Sequence, residues 1–519
     1  MSLGMVCSAA LHGLEVKFIR VEADLSNGLP MFHMVGYLSG EVKEAGERVR
    51  TAIRNSGLEI PVKKTVINLS PGSVRKRGAS FDLPIALAIL LSQGLVSGAA
   101  LKGALAVGEL GLDGSIRDVA GVLPIVWEAG KQGYRFCIVP PGNEKEARLA
   151  AGIPVLAAGS LSELLTLLAM GEPAAGAGQS GRTDGAAKDG DWQEMEFQED
   201  FCEVRGQEAV KRSAEIAVAG GHNFLMIGPP GSGKSMIARR IPTILPPLSM
   251  EEALEITKIY SIQGMLDKDT PLMRRRPFRE VHHTATRAAL IGGGAVPAPG
   301  EISLAHRGVL FLDELSEFQR PVLDVLRQPL EEKRIRLTRK QGVYEFPADF
   351  MLAAAMNPCP CGYYPDASRC TCAPGSISRY LGKVSQPFLD RIDICMDTPA
   401  VDYRSLRAGE GGETSARIRE RVMEARQRQA FRYRQEPFAV NAAVPARKIP
   451  VYCALDTQGD EMLSQAFRQM GLTARTCHKV LKVARTIADL AGEEAIQSAH
   501  LAEAVGYRLP DAKYWGNLR

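Results

Sequence analysis

The chain has 519 residues, of which 45% are hydrophobic and 24% are charged, and its formal net charge at pH 7 is +4. This length predicts two to four domains rather than one, and the composition is typical of an ordinary globular protein. The small net charge excludes a uniformly basic nucleic-acid-binding protein, so any contact with DNA has to come from local basic patches.

Residues 1–170 are predicted to form a separate α/β domain. Residues 62–71 have the β-branched content of a strand. Residues 81–94 contain the apolar run Leu83–Leu91 and are typical of a buried helix. The pair Asp113 and Gly114 lies in a stretch of alternating polarity, which predicts a hairpin turn.

A change of composition separates this domain from the rest of the chain. Residues 171–192 are dense in Gly, Ala and small polar residues, which predicts a flexible linker. In residues 193–400, short apolar strands alternate with helices, and this alternation predicts a parallel α/β sheet. The strands are Asn223–Ile227, Gly308–Leu312 and Phe350–Ala355. Residues 401–519 are predicted to be a basic connector and a helical lid domain. The lid helices are Leu455–Gly471, Thr473–Gly492 and Ser498–Tyr507.

The apolar runs and the cysteines predict a cytoplasmic protein without a membrane partner. The longest apolar run, around Leu83–Leu91, is too short to span a bilayer. The first ten residues lack the basic and long apolar regions of a signal peptide. Six of the ten cysteines are scattered along the chain, which favours reduced thiols over a disulfide framework.

The loop after the strand Asn223–Ile227 matches the phosphate-binding pattern at every position. It consists of Gly228, Pro229, Pro230, Gly231, Ser232, Gly233, Lys234 and Ser235. The glycines allow the backbone N–H groups to point at phosphate oxygens, and the following helix presents its positive N-terminus to the same anion. We expect Lys234 to neutralise the β- and γ-phosphates of ATP and Ser235 to ligate Mg²⁺. The alternative is a glycine loop that matches the pattern by chance, and it would not account for the strand before the loop and the helix after it.

Two carboxylates follow the second strand. Asp313 is expected to hold the Mg²⁺ shell, and Glu314 is expected to polarise the attacking water. Alone, such a strand end is often an exposed acidic turn. The distance of about 75 residues after a phosphate loop favours the catalytic interpretation.

Three more residues are candidates for the same site. Asn357 follows the third strand and can orient the water, although it can also serve as a turn former before Pro358. Arg391 lies at a helix end and is interpreted as an arginine donated to the γ-phosphate of a neighbouring subunit; its alternative is a surface residue paired with Asp. Arg475, with Arg485 as its rival, is a candidate to lie over the bound nucleotide.

Four cysteines form two C-x-C pairs separated by eight residues. They are Cys359, Cys361, Cys370 and Cys372. Thiolates at this density suit tetrahedral Zn²⁺ with a structural role. The alternative is four free thiols in a loop.

Two basic segments are candidates for contact with DNA. The first lies between the two halves of the phosphate site and contains Arg274–Arg276, Arg279, His282, His283, Arg287 and Gly292–Gly294. The second, residues 404–448, has an excess of Arg and Lys over Glu. Both patterns suit contacts with the DNA backbone, and both are equally typical of a solvated helical face.

Several of these motifs resemble the ComM/YifB family of magnesium-chelatase-like AAA+ proteins. The similar segments are GPPGSGKS, GEISLAHRGVLFLDEL, AAAMNPCPCGYYPD, FLDRIDI and TARTCHKVLKVARTIADLAG. The resemblance runs nearly end to end. It implies a hexameric, DNA-stimulated helicase that promotes branch migration during natural transformation, and it places Asn357 at the sensor position of AAA+ proteins. One departure is Val281, where family members often have Pro before the two histidines.

Residues 1–170 are similar to the proteolytic domain of Lon proteases. In this resemblance Ser80 lies in the nucleophile loop, and the partner lysine falls at about Leu123. A serine nucleophile of this kind needs a lysine with a lowered pKa as its base, and an aliphatic side chain cannot replace it. The domain is therefore predicted not to cleave peptides.

Three functions are compatible with the sequence. The first is an ATP-driven DNA motor that works as a homo-oligomeric ring. The second is a chelatase-type ATPase that remodels a partner protein without DNA. The third, an ATP-dependent protease, is disfavoured by Leu123.

Overall fold

The computed structural model describes residues 3–60, 62–150, 152–171, 197–294, 297–339, 342–400 and 412–516. Nearly all of the predicted linker and the first residues of the predicted connector lie outside these ranges. The described residues form a mixed α/β N-terminal part, a central part built on a parallel sheet and a C-terminal group of helices. This is the predicted fold class.

The described part of the N-terminal domain is built on a seven-stranded sheet with the strand order β3-β4-β2-β1-β5-β8-β9. The strands of this domain are β1 (Gly4–His12), β2 (Glu15–Ser26), β3 (Met31–Val35), β4 (Lys64–Ser70), β5 (Ala104–Ala106), β6 (Glu109–Leu110), β7 (Ile116–Arg117), β8 (Phe136–Val139) and β9 (Val155–Ala157). Its helices are α1 (Gly40–Asn55), α2 (Asp82–Ser92), α3 (Val122–Lys131), α4 (Glu144–Arg148) and α5 (Leu161–Ala169). The predicted strand corresponds to β4, the predicted apolar helix is α2, and the predicted hairpin is the β6–β7 pair.

The central part contains a five-stranded sheet among its described residues, with the order β11-β12-β15-β10-β16. Its strands are β10 (Phe224–Ile227), β11 (Phe278–Val281), β12 (Val309–Leu312), β15 (Met351–Met356) and β16 (Ile394–Asp397). Its helices are α6 (Glu208–Gly220), α7 (Lys234–Ile244), α8 (Met250–Ile262), α9 (Arg287–Ile291), α10 (Glu301–Leu304), α11 (Arg320–Asp324), α12 (Arg327–Glu332), α13 (Pro374–Leu381) and α14 (Gln386–Leu389). Each neighbouring pair is parallel. The three central strands β12, β15 and β10 are fully buried apolar runs, as expected for strands covered on both faces.

A hairpin of β13 (Arg334–Arg339) and β14 (Gly342–Pro347) lies in the chain between β12 and β15. Its inner side chains are buried, and its arginines face outward. The alternation of apolar and charged residues produces this arrangement, because successive side chains of a strand point to opposite faces. The hairpin thus leads almost directly into β15, the strand before Asn357, whereas α11 and α12 separate it from β12.

The C-terminal helices pack against the central part. They are α15 (Ser415–Arg432), α16 (Ile449–Tyr452), α17 (Thr457–Met470), α18 (Ala474–Ala491), α19 (Ser498–Gly506) and α20 (Leu509–Trp515). The longest of them, α15 and α18, share an apolar core with α6 and β10. Thr473 caps α18 because its hydroxyl accepts the backbone N–H of Thr476.

The N-terminal domain contacts the central part in two places. At the end of α8, the backbone carbonyl of Ser261 accepts the N–H of Gly121 at 2.9 Å, and α3 packs on α8. The ring of His12, at the β1–β2 turn, stacks on Tyr344 of the β13–β14 hairpin with 4.0 Å between ring centroids. The hairpin therefore rests on the N-terminal domain.

Within the part of the chain that the structure describes, none of the helices combines the length and the apolar content that crossing a bilayer requires.

Candidate nucleotide site

The glycine loop connects the carboxyl end of β10 to α7, as the phosphate-binding pattern requires. Gly231 and Gly233 have φ angles of +74° and +85°, a region that residues with a side chain rarely adopt. Gln207 holds the outside of the loop, because its side-chain amide donates to the carbonyls of Ser232 at 3.3 Å and Pro399 at 2.6 Å. The loop and α7 together present backbone N–H groups and a helix N-terminus to one point.

Lys234 lies inside this loop. Its ammonium donates to the carbonyl oxygens of Gly228 at 2.8 Å and Pro229 at 2.9 Å and to Oδ1 of Asn357 at 3.2 Å. Burial lowers the pKa of Lys234 to about 8, while the charge of Asp313 opposes that effect. A buried cation with only neutral oxygens in direct contact is well suited to an anionic ligand.

Ser235 and Asp313 lie next to each other. The Ser235 hydroxyl donates to Oδ2 of Asp313 at 2.6 Å, although the two residues are 78 positions apart. This contact follows from the sheet order, because β12 and β10 flank β15 and their carboxyl ends lie at one edge. A hydroxyl and a carboxylate form the kind of oxygen pair that Mg²⁺ prefers.

Glu314 has a constrained backbone with a φ angle of +52°, and its N–H donates to Oδ1 of Asp313 at 2.9 Å. Its carboxylate is half exposed and lies 3.0 Å from Nδ1 of His283. A non-glycine residue in the left-handed region is strained, and such strain is frequent at functional sites. Sequence reasoning grouped His283 with the DNA-contact candidates, whereas the structure places it beside the candidate base.

Asn357 follows β15, the strand between β12 and β10. Its Oδ1 accepts the 3.2 Å hydrogen bond from the ammonium of Lys234. The structure therefore brings together the loop, Ser235, Asp313, Glu314 and Asn357 at the carboxyl edge of the sheet.

Arg391 lies at the opposite edge. The register pairs Phe224 with Ile394 at the amino ends of β10 and β16, and the carbonyl of Arg391 accepts the side-chain amide of Asn223 at 2.8 Å. The phosphate loop begins after the other end of β10, so the two are separated by a four-residue strand of roughly 13 Å. Burial lowers the pKa of Arg391, and its guanidinium pairs with Glu331 at 2.7 Å.

Arg475 shares the partner of Arg391. Its guanidinium also binds Oε1 of Glu331, so the two arginines lie side by side at the amino edge and not over the phosphate loop of their own chain. Sequence reasoning missed Glu331, and α12 carries no motif that would reveal it. The rival Arg485 is 3% exposed and is bound to Asp489 and to the carbonyls of Glu493 and Glu494, which assigns it to holding the end of α18.

The four clustered cysteines come together in space. All four Sγ atoms lie within 4.8 Å of one another, which is compatible with a bound metal ion. The backbone N–H of Tyr363 helps to lower the pKa of Cys361 to about 6, and a thiolate is the form that binds metal.

Several arginines of the two predicted basic segments form ion pairs and hydrogen bonds inside the molecule. Arg276 donates to the carbonyls of Pro246 and Arg307 and pairs with Glu252, and Arg279 pairs with Glu301. Within residues 404–448, three arginines of α15 hold this helix against its neighbours. They are Arg421 with Glu215 and Glu413, Arg426 with the carbonyl of Val218, and Arg432 with Asp489. Residues 404–411 lie outside the described residues.

The N-terminal candidates lie far along the chain from this site. Leu123 is fully buried in an apolar cluster, and its N–H donates to Glu146 at 2.9 Å. The carbonyl of Ser80 accepts the N–H of Gly108 at 3.1 Å. The position resembling the lysine of the serine–lysine pair is thus occupied by a core side chain.

Three family models match the chain, and together they define its class. The model described as "Magnesium chelatase, subunit ChlI" matches residues 200–406, "Subunit ChlI of Mg-chelatase" matches residues 21–143, and "Magnesium chelatase, subunit ChlI C-terminal" matches residues 412–508. The sheet, its loop and these matches make the chain a magnesium-chelatase-like AAA+ protein.

Relatives that match over nearly their full length assign the chain to one family within this class. Protein YifB of Escherichia coli is 43% identical over 98% of both chains, and competence protein ComM of Haemophilus influenzae is 41% identical over 98% of both chains. The magnesium-chelatase 67 kDa subunit of Chlorobaculum tepidum is 28% identical over 34% of this chain and 22% of that protein. The chain belongs to the ComM/YifB family, which confirms the family prediction.

Replacing Lys234 by alanine tests whether the glycine loop binds the phosphates of ATP. In Lys234→Ala the affinity for ATP should fall by roughly tenfold to a hundredfold, because charge-assisted bonds to the phosphates are lost. In Glu314→Gln, by contrast, the affinity should remain and turnover should stop. Fluorescent-nucleotide titration and phosphate release measure the two effects, and normal turnover of Glu314→Gln would remove Glu314 from its assigned role.

The position of Arg391 at the sheet edge opposite the phosphate loop leads to a second prediction. Arg391→Ala should bind nucleotide normally and lose turnover by on the order of 10³-fold, as expected for an arginine that stabilises the transition state of phosphoryl transfer. Mixing it with Glu314→Gln protein should restore part of the activity, since each variant supplies what the other lacks. A lack of rescue in rings shown to be mixed would contradict an arginine donated between subunits.

Proposed function

We propose that the chain is an ATP-hydrolysing motor that acts on DNA as a ring of identical subunits. The observation that carries this proposal is the division of one catalytic set between two edges of a sheet. The phosphate loop, Asp313, Glu314 and Asn357 lie at one edge, and Arg391 lies at the other. An arginine so placed completes the site of another subunit, so hydrolysis requires a closed assembly, and the family resemblance favours a hexamer.

The described side chains suit the roles that ATP hydrolysis requires. Ser235 and Asp313 would hold Mg²⁺, which, when bound, neutralises charge on the phosphates. Lys234 contacts the phosphates, and Asn357 orients groups between the loop and the carboxylates. Glu314 accepts a proton from the attacking water, and His283 fixes the direction of its carboxylate.

DNA is the proposed substrate for two reasons. The Haemophilus influenzae relative is named a competence protein, and the family resemblance implies branch migration in natural transformation. We therefore propose a helicase that moves a junction between DNA strands, which also places the protein in the cytoplasm. ATP turnover would drive movement of parts that contact the DNA.

The β13–β14 hairpin is the best-placed part for that contact. It lies in the chain between the strands that carry Glu314 and Asn357, and only three residues separate β14 from β15. A change at Asn357 would therefore reach the hairpin through β15. Arg339 at its tip is exposed. Arg77 of the N-terminal domain is also exposed and lies near Tyr344, since burial raises the pKa of this tyrosine while the charge of Arg77 opposes the rise. We propose that these two arginines belong to one DNA-contacting surface, the joint basic surface, which suits a phosphate backbone.

The cysteine cluster is included in the proposal as a structural Zn²⁺ site. Its ligands would be Cys359, Cys361, Cys370 and Cys372. Four thiolates and no open position are typical of zinc sites without a catalytic role.

A chelatase-type ATPase that remodels a partner protein without DNA is the second candidate. The family models that match most of the chain, all described by magnesium chelatase subunits, favour it. Adding single-stranded DNA distinguishes the two candidate functions, because a motor that moves on DNA hydrolyses ATP faster when DNA is bound.

The decisive experiment measures ATPase activity and branch migration together. Purified full-length protein is given three- and four-strand DNA substrates, with ATP or with none, and Glu314→Gln serves as the control without turnover. ATP-dependent branch migration together with DNA-stimulated hydrolysis supports the motor. Hydrolysis that is indifferent to DNA, with no branch migration, overturns it in favour of the second candidate.

The joint basic surface makes a further prediction. Arg339→Ala should weaken DNA binding and reduce the dependence of log K on log salt by about 1, because one phosphate contact is lost. Arg468→Ala, which removes an equally exposed charge on α17, is the matched control. Fluorescence anisotropy at several salt concentrations measures the slope, and equal slopes for both variants would exclude Arg339 from the DNA path.

A further inference from the structure

The cysteine loop, which comprises residues 359–373, needs a source of order other than regular secondary structure. Residues 359–373 are all described and contain neither helix nor strand. Loops of this length without regular structure are uncommon inside a compact domain and need another source of order. The cysteines are free rather than bridged, so a covalent link does not supply it.

The separations of three of the four sulfurs match those around a tetrahedral metal ion, and the fourth sulfur, of Cys372, lies within 4.8 Å of each of them. Cys359 Sγ lies 3.4 Å from Cys361 Sγ and 3.8 Å from Cys370 Sγ, and the sulfurs of Cys361 and Cys370 are 3.6 Å apart. Zn–S bonds of about 2.3 Å at tetrahedral angles place sulfurs about 3.8 Å apart, whereas a disulfide requires about 2.05 Å. The backbone N–H of Tyr364 donates to Cys359 Sγ at 3.3 Å, which stabilises a thiolate.

The same loop touches the phosphate loop. Gly362, next to Cys361, has a φ angle of +87°, and a Cβ at this position would lie 2.3 Å from Cδ of Pro230. Close packing of this kind leaves no room for a side chain. The cysteine loop therefore presses directly on the phosphate loop.

The cysteine loop is also continuous with the candidate sensor. Cys359 follows Asn357 by two residues, and Asn357 accepts the bond from Lys234 at 3.2 Å. A displacement of the cysteine loop thus acts on the nucleotide site twice, through Pro230 and through Asn357.

We propose that the four cysteines bind one Zn²⁺ and that this ion braces the nucleotide site by holding Gly362 against Pro230 and fixing the chain after Asn357. ATP binding accordingly depends on the metal, although the metal touches no nucleotide atom. This inference rests on the proposed function, because nucleotide affinity is one of its two readouts.

The first test measures metal. Full-length protein purified without chelator should contain one zinc per chain by plasma mass spectrometry. The double variant Cys370→Ser/Cys372→Ser should lose it, whereas Cys453→Ser, which removes a cysteine distant in sequence from the cluster, should keep it. A zinc-free wild-type protein, with thiols free or oxidised in pairs, overturns the proposal.

The second test measures coupling with the metal in place. Gly362→Ala retains all four sulfurs but places a methyl group against Pro230, so its zinc content should be normal and its Kd for fluorescent ATP should rise by on the order of tenfold, as for other changes around a metal site. Gly471→Ala is the matched control, because Gly471 also has a positive φ angle, +60°, but a Cβ there meets nothing within 4 Å. It should change neither value.

The outcomes distinguish the two proposals. A normal Kd in both Gly362→Ala and the zinc-free double variant overturns the brace and leaves the ATPase proposal intact. Wild-type protein that contains zinc but binds no nucleotide overturns the proposed function and the brace with it, while the metal site stands on its own measurement.

Discussion

The parallel register of β10 with both of its neighbours is the constraint on which the site depends. Because β10 runs parallel to β15 on one side and to β16 on the other, the residues that immediately follow β10 and β15 lie at one edge of the sheet. The residues that immediately precede β16 lie at the other edge. The contacts of Lys234 with Asn357 and of Asn223 with the Arg391 carbonyl are two consequences of this single arrangement. The geometry places the phosphate loop and Arg391 at opposite edges of the sheet within one chain.

A buried charged group ties this sheet to the helical lid. Asp393, at the start of β16, pairs with Lys479 of α18 at 3.1 Å and accepts the backbone N–H of Asn223 at 3.0 Å. Burial alone would raise the pKa of Asp393, but Lys479 and His222 hold it well below its usual range. Buried ion pairs contribute little net stability, yet breaking one is costly because it leaves an uncompensated charge. The pair therefore fixes where the lid docks, and with it the position of Arg475 beside Arg391.

The sequence predicts local chemistry better than contacts between distant segments. The phosphate loop, the two carboxylates after β12 and Asn357 are recognisable because each follows a short apolar strand, and strand order alone then places them at one edge. Glu331 and the His283 contact with Glu314 were not predictable, since they depend on how α12 and the segment after β11 pack. For the same reason the arginines of α15 were indistinguishable from a nucleic-acid patch until their carboxylate and carbonyl partners were known.

The docking of the hairpin gives the N-terminal domain a physical role that its resemblance to proteases does not. Tyr344 is 2% exposed and stacks on His12. The hairpin therefore cannot shift unless Tyr344 slides over the β1–β2 turn or its contact with His12 breaks. An aromatic pair of this kind contributes about 0.5–1.5 kcal/mol beyond its buried area, which is small compared with the free energy of ATP binding and hydrolysis. The contact therefore holds the hairpin against the N-terminal domain only weakly, and it needs no catalytic serine.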